Sequence, residues 1–366
     1  MRDFHYRPPD FGAPAFRDAP DADFRPIPAD GVLPDGFFST TNLPTYVKVG
    51  GVWKRPREPR MDCVIALDPS GELYVREPRR LPQGTPVAMG EAEDGGSGIY
   101  VHHEGFLGDP RSANEFRFMS TPVSRERPVD YARLAALLGE EREHGGRIVW
   151  VAGPAVVHSR AREDFVWFIE RGYAQAFLGG NAIAVHDLES AIYGTALGVT
   201  ASGEAAAHGH GLHMRAINAV RRAGSIEAAV GTGLVTNGIM HALVTYDVPF
   251  VLAGSIRDDG PLPGVISDAL AAQDAMRHHT TCATLVVMVA TALHAIAVGN
   301  MLPAYVEDGD RLRPLPTICV DQEEFVVSKL RDRGTHQAFG VVTNAQDFMH
   351  VLRLYVERWE ERRRRG

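Results

Sequence analysis

The chain has 366 residues with a formal net charge of −8, and 45% of its residues are hydrophobic. This length predicts two domains, because a single hydrophobic core rarely serves more than about 250–300 residues. The acidic balance argues against nucleic acid or an anionic membrane as a partner. The odd count of 3 cysteines, the absence of an export signal and the absence of an apolar run of about 18 residues predict a cytoplasmic protein without disulfides or membrane spans.

The N-terminal third of the chain predicts an arm followed by a small β domain. Residues 1–30 are rich in proline, aspartate, arginine and phenylalanine without periodicity, which predicts an extended arm that packs on the next domain through Phe11, Phe16 and Phe24. Residues 31–128 contain short β-like runs broken by turn residues, which predicts a small, mainly β domain. Within it, TYVKV and VWKRP flank two glycines and predict a hairpin.

Residues 129–366 predict an α/β domain that holds a dinucleotide, with NAD as the expected cofactor. After a connecting helix, helical stretches alternate with six apolar runs: RIVWVAG, AQAFLGG, PFVLAGS, ATLVVMVAT, TICVD and QAFGVVTN. Continuous apolar runs bounded by Gly, Asn, Asp or Ser are typical of parallel strands buried on both faces. The predicted fold class is therefore α/β with a six-stranded, parallel, doubly wound sheet.

Ligands of an open parallel sheet lie at the carboxyl ends of its strands, so the residues that follow each strand are candidate cofactor ligands. These are Gly153, Pro154, Ala155, Gly180, Asn181, Ala253, Gly254, Ser255, Thr291, Asn300 and Asp321. Glycines there let the backbone approach a pyrophosphate, although each turn alone is equally consistent with a tight connection, and no GxGxxG follows the first strand. Asp321 could bind ribose or cap the next helix, and Asn300 could bind cofactor or form a helix C-cap.

The segment of residues 254–264 places one cation and two carboxylates between glycines and prolines, directly after the third strand. Arg257 could hold a substrate carboxylate by a bidentate contact. Asp258 and Asp259 could pair with substrate ammonium groups, and both are candidate catalytic residues. The alternative interpretation of this segment is a solvated surface turn.

The stretch GGNAIAVHDLE begins a helix at the mouth of the second strand. His186 is a candidate proton-transfer group because the pKa of imidazole lies near neutrality, and Asp187 is a candidate beside it. Asn181 could contact the substrate as well as the cofactor. A single histidine on a helix is more often structural, so this assignment depends on its neighbours.

A second histidine-rich stretch, HGHGLHMR, has a spacing that resembles a metal site. It lacks accompanying cysteines or an acidic residue at a ligand interval, so no metal site is predicted. We expect a loop-to-helix junction near the active site instead, in which His210, His213 and Arg215 contact the substrate.

Several long motifs resemble one family, the archaeal-type NAD-dependent ornithine cyclodeaminases, known under the older label LOR/SDH bifunctional enzyme conserved region. The family also forms the C-terminal part of arginine dihydrolase/ornithine cyclodeaminase fusion enzymes. The resemblance covers roughly residues 36–356 and includes FFSTTNLPTYVKVGGVW, MDCVIALD, FRFMSTPVSRERP, VAGPAVVH, GGNAIAVHDLE, RAINAVRRAGSI, VPFVLAGSIRDDGPLPGVISDALAAQDAMR, HAIAVGNMLP and DRGTHQAFGVVTN. It implies a NAD domain similar to that of deoxyhypusine synthase, which accounts for the missing glycine motif.

The resemblance implies conversion of L-ornithine to L-proline and ammonia, in which the hydride removed from the α-carbon is returned after ring closure. Such a site must hold two amines, a carboxylate and a nicotinamide together. Arg257 would then bind the carboxylate, Asp258 or Asp259 an ammonium group, and His186 or Asp187 would move protons. Without a guanidine-modifying domain, free arginine is not an expected substrate.

Three alternatives remain open from the sequence. The stretches GHGLHMRAIN, EDGDRLRP and GEAEDGGSG depart from the family pattern, so lysine or diaminobutyrate could replace ornithine. An aminoalkyl transferase of the deoxyhypusine synthase kind would need an imine-forming lysine, but Lys329 is predicted on a helix away from the strand ends. A non-catalytic NAD-binding sensor or partner subunit is the third alternative. A homo-oligomer is expected in each case.

Overall fold

The computed structural model describes residues 6–106, 129–200, 202–258, 260–303, 305–308, 311–323 and 337–365. The chain forms two units: the first comprises residues 1–127, 300–315 and 333–337, and the second comprises residues 128–299, 316–332 and 338–366. This division differs from the predicted continuous domain 129–366, because residues 300–315 group with the first unit. The physical reason is a shared apolar cluster in which Tyr305 and Leu312 pack with Phe106.

The first unit is mainly β, as predicted. Its strands are β1 (Phe24–Pro26), β2 (Thr45–Val49), β3 (Val52–Lys54), β4 (Val64–Leu67), β5 (Leu73–Arg76), β6 (Pro86–Ala88) and β7 (Ile99–Val101), with helix α1 (Pro14–Arg17) and a 3₁₀ turn at Pro78–Arg80. They form a four-stranded sheet in the order β1-β6-β4-β5 and a three-stranded sheet in the order β3-β2-β7. The predicted hairpin is the β2–β3 pair, whose turn glycines Gly50 and Gly51 have φ values of 61° and 78°.

The predicted N-terminal arm is part of this unit. Phe11 stacks on Trp53 with ring centroids 5.2 Å apart, and Phe16 meets Tyr100 edge-on at 4.7 Å. The arm is not extended throughout, because it contains the helix α1, whereas its strand β1 is extended and pairs with β6. Lys48 on β2 is buried and donates hydrogen bonds to the carbonyls of residues 16, 17 and 19, at 3.2, 2.8 and 2.6 Å. One ammonium group therefore ties the arm to the sheet.

Replacing Lys48 with methionine should lower the free energy of unfolding by about 1–3 kcal/mol, since it removes a charged donor from three partly buried carbonyls, although the carbonyl of residue 16 keeps its hydrogen bond from Nε1 of Trp53. Urea denaturation followed by tryptophan fluorescence measures the loss. Lys54→Met on the neighbouring strand is the matched control and should cost less than about 0.5 kcal/mol. Equal losses for the two variants would contradict the proposed role of Lys48.

The second unit contains the predicted six-stranded parallel sheet. Its strands are β8 (Ile148–Ala152), β9 (Ala176–Gly180), β12 (Phe250–Ala253), β13 (Leu285–Val289), β16 (Pro316–Asp321) and β17 (Gln337–Val342). The second unit also contains a short hairpin formed by β10 (Thr195–Ala196) and β11 (Val199–Thr200). A further hairpin, formed by β14 (Tyr305–Asp308) and β15 (Arg311–Pro314), belongs to the first unit. The order across the sheet is β12-β9-β8-β13-β16-β17. Every residue of β8, β9 and β13 is buried, as apolar runs in a two-sided sheet require.

Beyond residue 128, the helices within the described ranges follow the predicted alternation with strands. They are α2 (Tyr131–Glu143), α3 (Ala155–His158), α4 (Arg162–Glu170), α5 (Asn181–Tyr193), α6 (Leu212–Ala223), α7 (Ile226–Gly231), α8 (Ile239–Thr245), α9 (Ala269–Thr280), α10 (Ala292–Met301) and α11 (Ala345–Arg365). The last helix packs on α2, where the ring of Trp359 occupies the space that a side chain at Gly139 would fill. Over the part of the chain that the structure describes, no helix has the length and apolar character of a membrane span.

Candidate active site

The strand order creates one preferred place for a ligand. The chain begins the sheet at β8, builds β9 and β12 on one side, and then crosses to β13 on the other side of β8. In open α/β sheets the ligand crevice lies at this reversal, outside the carboxyl ends of the two central strands. The glycine turns and polar residues that were predicted from the sequence therefore follow strands that end at one edge of the sheet.

Gly153 lies at the reversal itself. Its amide donates to the carbonyl of Val289 at 3.1 Å, and a Cβ at this position would overlap the carbonyl of Ala290 and lie 2.9 Å from Cβ of Thr291. Only glycine lets the ends of β8 and β13 approach so closely. The predicted cofactor ligands Gly153, Pro154 and Ala155 thus follow the central strand, where a pyrophosphate would meet bare backbone.

His294 is the site residue to which the sequence analysis assigned no role. It lies in the first turn of α10, and a Cβ at Gly180 would be 2.7 Å from its Cε1 and 3.2 Å from its Nε2, so its ring covers the end of β9. Its Nδ1 is 3.3 Å from the hydroxyl of Thr291. Burial lowers the pKa of His294, while the negative charge of Asp258 acts in the opposite direction. Burial thus favours the neutral imidazole, and the charge of Asp258 reaches this ring.

Residues 254–264, which we call the crevice loop, leave the sheet after β12. The amide of Ser255 donates to Oδ2 of Asp258 at 2.7 Å, and the amide of Arg257 donates to the hydroxyl of Ser255 at 3.0 Å. Asp258 is half-buried, whereas Arg257 is exposed, so the guanidinium is free to reach a ligand. Asp259, predicted as catalytic, lies outside the described residues.

Two side chains from other elements hold the crevice loop. Oδ1 of Asn181, the first residue of α5, accepts a hydrogen bond from the amide of Leu262 at 3.0 Å. Arg221 on α6 donates to the carbonyl of Pro261 at 2.9 Å. The buried Asn181 therefore positions the loop through its amide oxygen, and its predicted contacts with substrate and cofactor stay predictions.

Asp187 is structural in its contacts. It is fully buried, and its oxygens accept from Nε of Arg162 at 2.6 Å and from the amides of Ile239 and Met240 at 2.9 and 2.7 Å. Those two amides begin α8, so the carboxylate caps that helix as well as neutralising a buried arginine. Asp187 has no exposed surface and both of its oxygens are engaged, so its contacts are structural, and its predicted catalytic role stays a prediction.

His186, the neighbouring candidate, lies about 100° around α5 from Asp187. Its ring contacts His158 with centroids 4.6 Å apart, and its Nδ1 lies 3.8 Å from a carboxylate oxygen of Glu189. Burial is the largest of the causes that lower the pKa of His158, followed by the charge of His186. The assignment of His186 to proton transfer stays a prediction.

The remaining predicted residues fall into two groups. His210 and Arg215 are exposed and His213 is half-buried, around the start of α6, and their substrate contacts stay predictions. Asp321 ends β16, and its Oδ1 accepts from the amide of Glu323 at 3.0 Å, which is the turn-capping alternative. Oδ1 of Asn300, in the last turn of α10, is buried without a hydrogen bond. Within the described ranges, His, Cys, Asp and Glu form no group of three or more suited to a metal.

A doubly wound sheet of this order, with bare glycine turns at its reversal, defines a dinucleotide-binding enzyme domain. The family model described as arginine dihydrolase ArgZ-like, C-terminal, Rossmann fold matches residues 132–352, and the model for the first region of the same C-terminal part matches residues 44–132. The chain belongs to this ArgZ-like C-terminal family. The predicted fold class and family resemblance are thereby confirmed.

Curated relatives carry the predicted enzyme name. The ornithine cyclodeaminase of Methanopyrus kandleri is 44% identical over 89% of this chain and 76% of its own length, and that of Methanothermobacter thermautotrophicus is 43% identical over 91% and 78%. The bifunctional arginine dihydrolase/ornithine cyclodeaminase AgrE of a Nostoc species is 40% identical over 92% of this chain. The chain spans about half of that fusion enzyme, 47% of its length.

Solved structures agree with the fold. A LOR/SDH protein from Methanococcus maripaludis has a TM-score of 0.81 at 39% identity and covers 94% of this chain and 99% of its own. AgrE in a ternary complex with ornithine and NAD⁺ has a TM-score of 0.57 at 36% identity and covers 93% of this chain and 46% of its own. The enzyme class and the cofactor predicted from the sequence agree with these names.

Proposed function

We propose that this protein is an NAD-dependent ornithine cyclodeaminase, which converts L-ornithine to L-proline and ammonia. The observation that carries the proposal is His294 against the end of β9, a histidine whose pKa burial lowers and on which the charge of Asp258 acts, because such a base and a carboxylate suit a substrate with two ammonium groups. The names of the relatives support the same reaction, and a fusion relative has been solved with both ornithine and NAD⁺. A homo-oligomeric, cytoplasmic enzyme remains our expectation.

The residues present fit NAD. Gly153 lets the ends of β8 and β13 approach each other closely, and Gly180 leaves space at the end of β9 for the ring of His294. A pyrophosphate would meet the backbone amides at the start of α5, whose N-cap residue Gly180 provides no side-chain capping bond. Asp321 would bind a ribose hydroxyl through Oδ2. When bound, NAD supplies the hydride acceptor and donor that a reaction without net redox change requires.

The side chains of the chain divide the remaining tasks. His294 is neutral and takes a proton from the α-ammonium group, since only an uncharged amine can release a hydride from its carbon. Asp258 pairs with an ammonium group of the substrate through Oδ1, because Oδ2 already accepts from Ser255. The exposed Arg257 binds the substrate carboxylate by a bidentate contact. Burial around His294 excludes water from the transferred hydride.

Incubation of the purified protein with NAD and L-ornithine tests the reaction. We expect ammonia and proline in equal amounts without accumulation of NADH. Parallel reactions with L-lysine and L-diaminobutyrate separate the alternative substrates. If NAD binds but none of the diamino acids releases ammonia, the protein is a sensor or partner subunit and the proposal fails.

Asp258→Asn should lower kcat for ornithine by about 10²-fold, since it removes the charge that pairs with the substrate. The dissociation constant for NAD should stay within about twofold, because Asn keeps the oxygen that accepts from Ser255. Steady-state kinetics and calorimetric NAD titration measure the two quantities. Glu227→Gln, an exposed carboxylate on α7, is the control and should change neither. Lost NAD binding in Asp258→Asn would assign this residue to the cofactor instead.

A further inference from the structure

Glu189 is a fully buried carboxylate on α5 that the proposed mechanism does not use. Its Oε1 accepts from the hydroxyl of Thr195 and from the amide of Gly198, both at 2.8 Å, and its Oε2 accepts from the amide of Leu197 at 3.1 Å. Nδ1 of His186 lies 3.8 Å from Oε2. Burial, the largest single cause, raises the pKa of Glu189, but the side chain of His186 together with these hydrogen bonds lowers it overall. One anion thus fixes the turn of the β10–β11 hairpin.

The hairpin in turn fixes the start of α6. Gly198 and Gly209 are in backbone contact, since a Cβ at Gly209 would lie 2.5 Å from the carbonyl oxygen of Gly198. That same carbonyl accepts from the amide of Ala206 at 2.8 Å. Gly209 opens the 3₁₀ turn Gly209–Gly211, which continues directly into α6. A side chain on either glycine would break this contact, so the position of the 3₁₀ turn that begins α6 depends on the position of the hairpin.

The other end of α6 reaches the crevice loop. Arg221, in its last turn, donates to the carbonyl of Pro261 at 2.9 Å, and its Nη2 lies 3.1 Å from the position of a Cβ at Gly260. A helix transmits a displacement along its axis because its backbone hydrogen bonds make it stiff. Hydrogen bonds and close backbone contacts therefore run without a break from Glu189 to the loop that carries Asp258.

We propose that Glu189 is a positioning residue for the active site, which acts through the β10–β11 hairpin and α6 to set the place of the crevice loop. The expected effect of Glu189 on the kinetics rests on the proposed function, whereas its expected effect on the structure of the crevice loop does not. A purely local role for Glu189 would order the hairpin and leave residues 260–264 unaffected. The two possibilities differ in what happens at Arg221.

Hydrogen–deuterium exchange of the full chain with NAD separates them. In Glu189→Gln the amide group places a donor against the amide of Leu197 or the ring of His186, so exchange should rise at residues 197–198, 206–211 and 260–264. Glu204→Gln, an exposed carboxylate in the same connection, is the matched control and should change none of these segments. Faster exchange confined to the hairpin overturns the proposal. Thr195→Val removes one donor only and should give the same pattern more weakly if Glu189→Gln does not fold.

A double-mutant cycle tests by steady-state kinetics whether Glu189 acts through Arg221. Glu189→Gln should lower kcat/KM for ornithine by about 3- to 30-fold while the dissociation constant for NAD stays within about twofold. Arg221→Met should do the same. If Glu189 acts through Arg221, the double variant loses no more than the worse single variant, and multiplied losses overturn the proposal. If the wild-type protein turns over no diamino acid, the proposed function fails, and the exchange experiment still decides the role of Glu189.

Discussion

Replacing His294 with glutamine should lower kcat for ornithine by about 10²- to 10⁴-fold, which is the usual contribution of a general base. Glutamine keeps the size and a hydrogen bond to Thr291 but cannot take up a proton. NAD should still bind, because the glycines at the ends of β8 and β9 are unchanged. Steady-state kinetics with ammonia detection measures the loss, and His144→Gln, an exposed histidine at the end of α2, is the control.

The pH profile gives a second test of His294. Because burial lowers its pKa below the ordinary value, the base stays neutral at pH 7, and kcat/KM should fall only as the pH drops through that lowered pKa. Asp258 favours the protonated ring, so Asp258→Asn should shift the remaining acid limb to still lower pH. In His294→Gln this limb should vanish. An unchanged acid limb in His294→Gln would assign the base to another residue, with His186 the first candidate.

Asp187→Asn should lower the free energy of unfolding by about 3–5 kcal/mol, since it removes the buried counter-charge of a buried guanidinium and leaves that group paired with the exposed Glu163. The new amide group would also face the backbone donors of Ile239 or Met240, which now bind the carboxylate. Urea denaturation measures the loss. Replacing Arg162 with methionine in the same variant should recover part of it, because the uncompensated charge is then gone.

Glu163, which pairs with the same arginine, provides the control for the Asp187→Asn prediction. Glu163 pairs with Arg162 at 2.9 Å but its side chain is 74% exposed, so Glu163→Gln should cost less than about 1 kcal/mol. Similar losses for the two variants would contradict the structural role of Asp187. An Asp187→Asn variant that is stable but inactive would instead support the predicted catalytic role of Asp187.

The sequence predicts the sheet well because its signal is local. Each of the six apolar runs contains a strand of the structure, from Ile148–Ala152 to Gln337–Val342, since continuous burial leaves a run of apolar letters. The hairpin at residues 305–314 escaped this reasoning. Its place depends on Tyr305 and Leu312 packing with Phe106, a contact far apart in the chain that no period reveals.

The candidate site was harder to predict because its partners come from distant segments. His186 and Asp187 are adjacent letters, yet the helix turns their side chains to different surroundings, and only the start of α8 shows that Asp187 is engaged. His294 had one local signal, its position three residues after Thr291 at the end of a strand. The place of His294 in the site becomes clear only in the structure, where its ring lies against Gly180 on another strand.

The central strand pair also has a consequence for biosynthesis. Val286 and Val287 of β13 align with Val149 and Trp150 of β8, although the ribosome makes these segments far apart in time. Until β13 emerges, the nascent β8-β9-β12 half sheet carries an unpaired apolar edge of the kind that recruits other chains. The need for chaperones during translation should therefore be greatest before residue 289 leaves the exit tunnel and should fall once β13 can pair with β8.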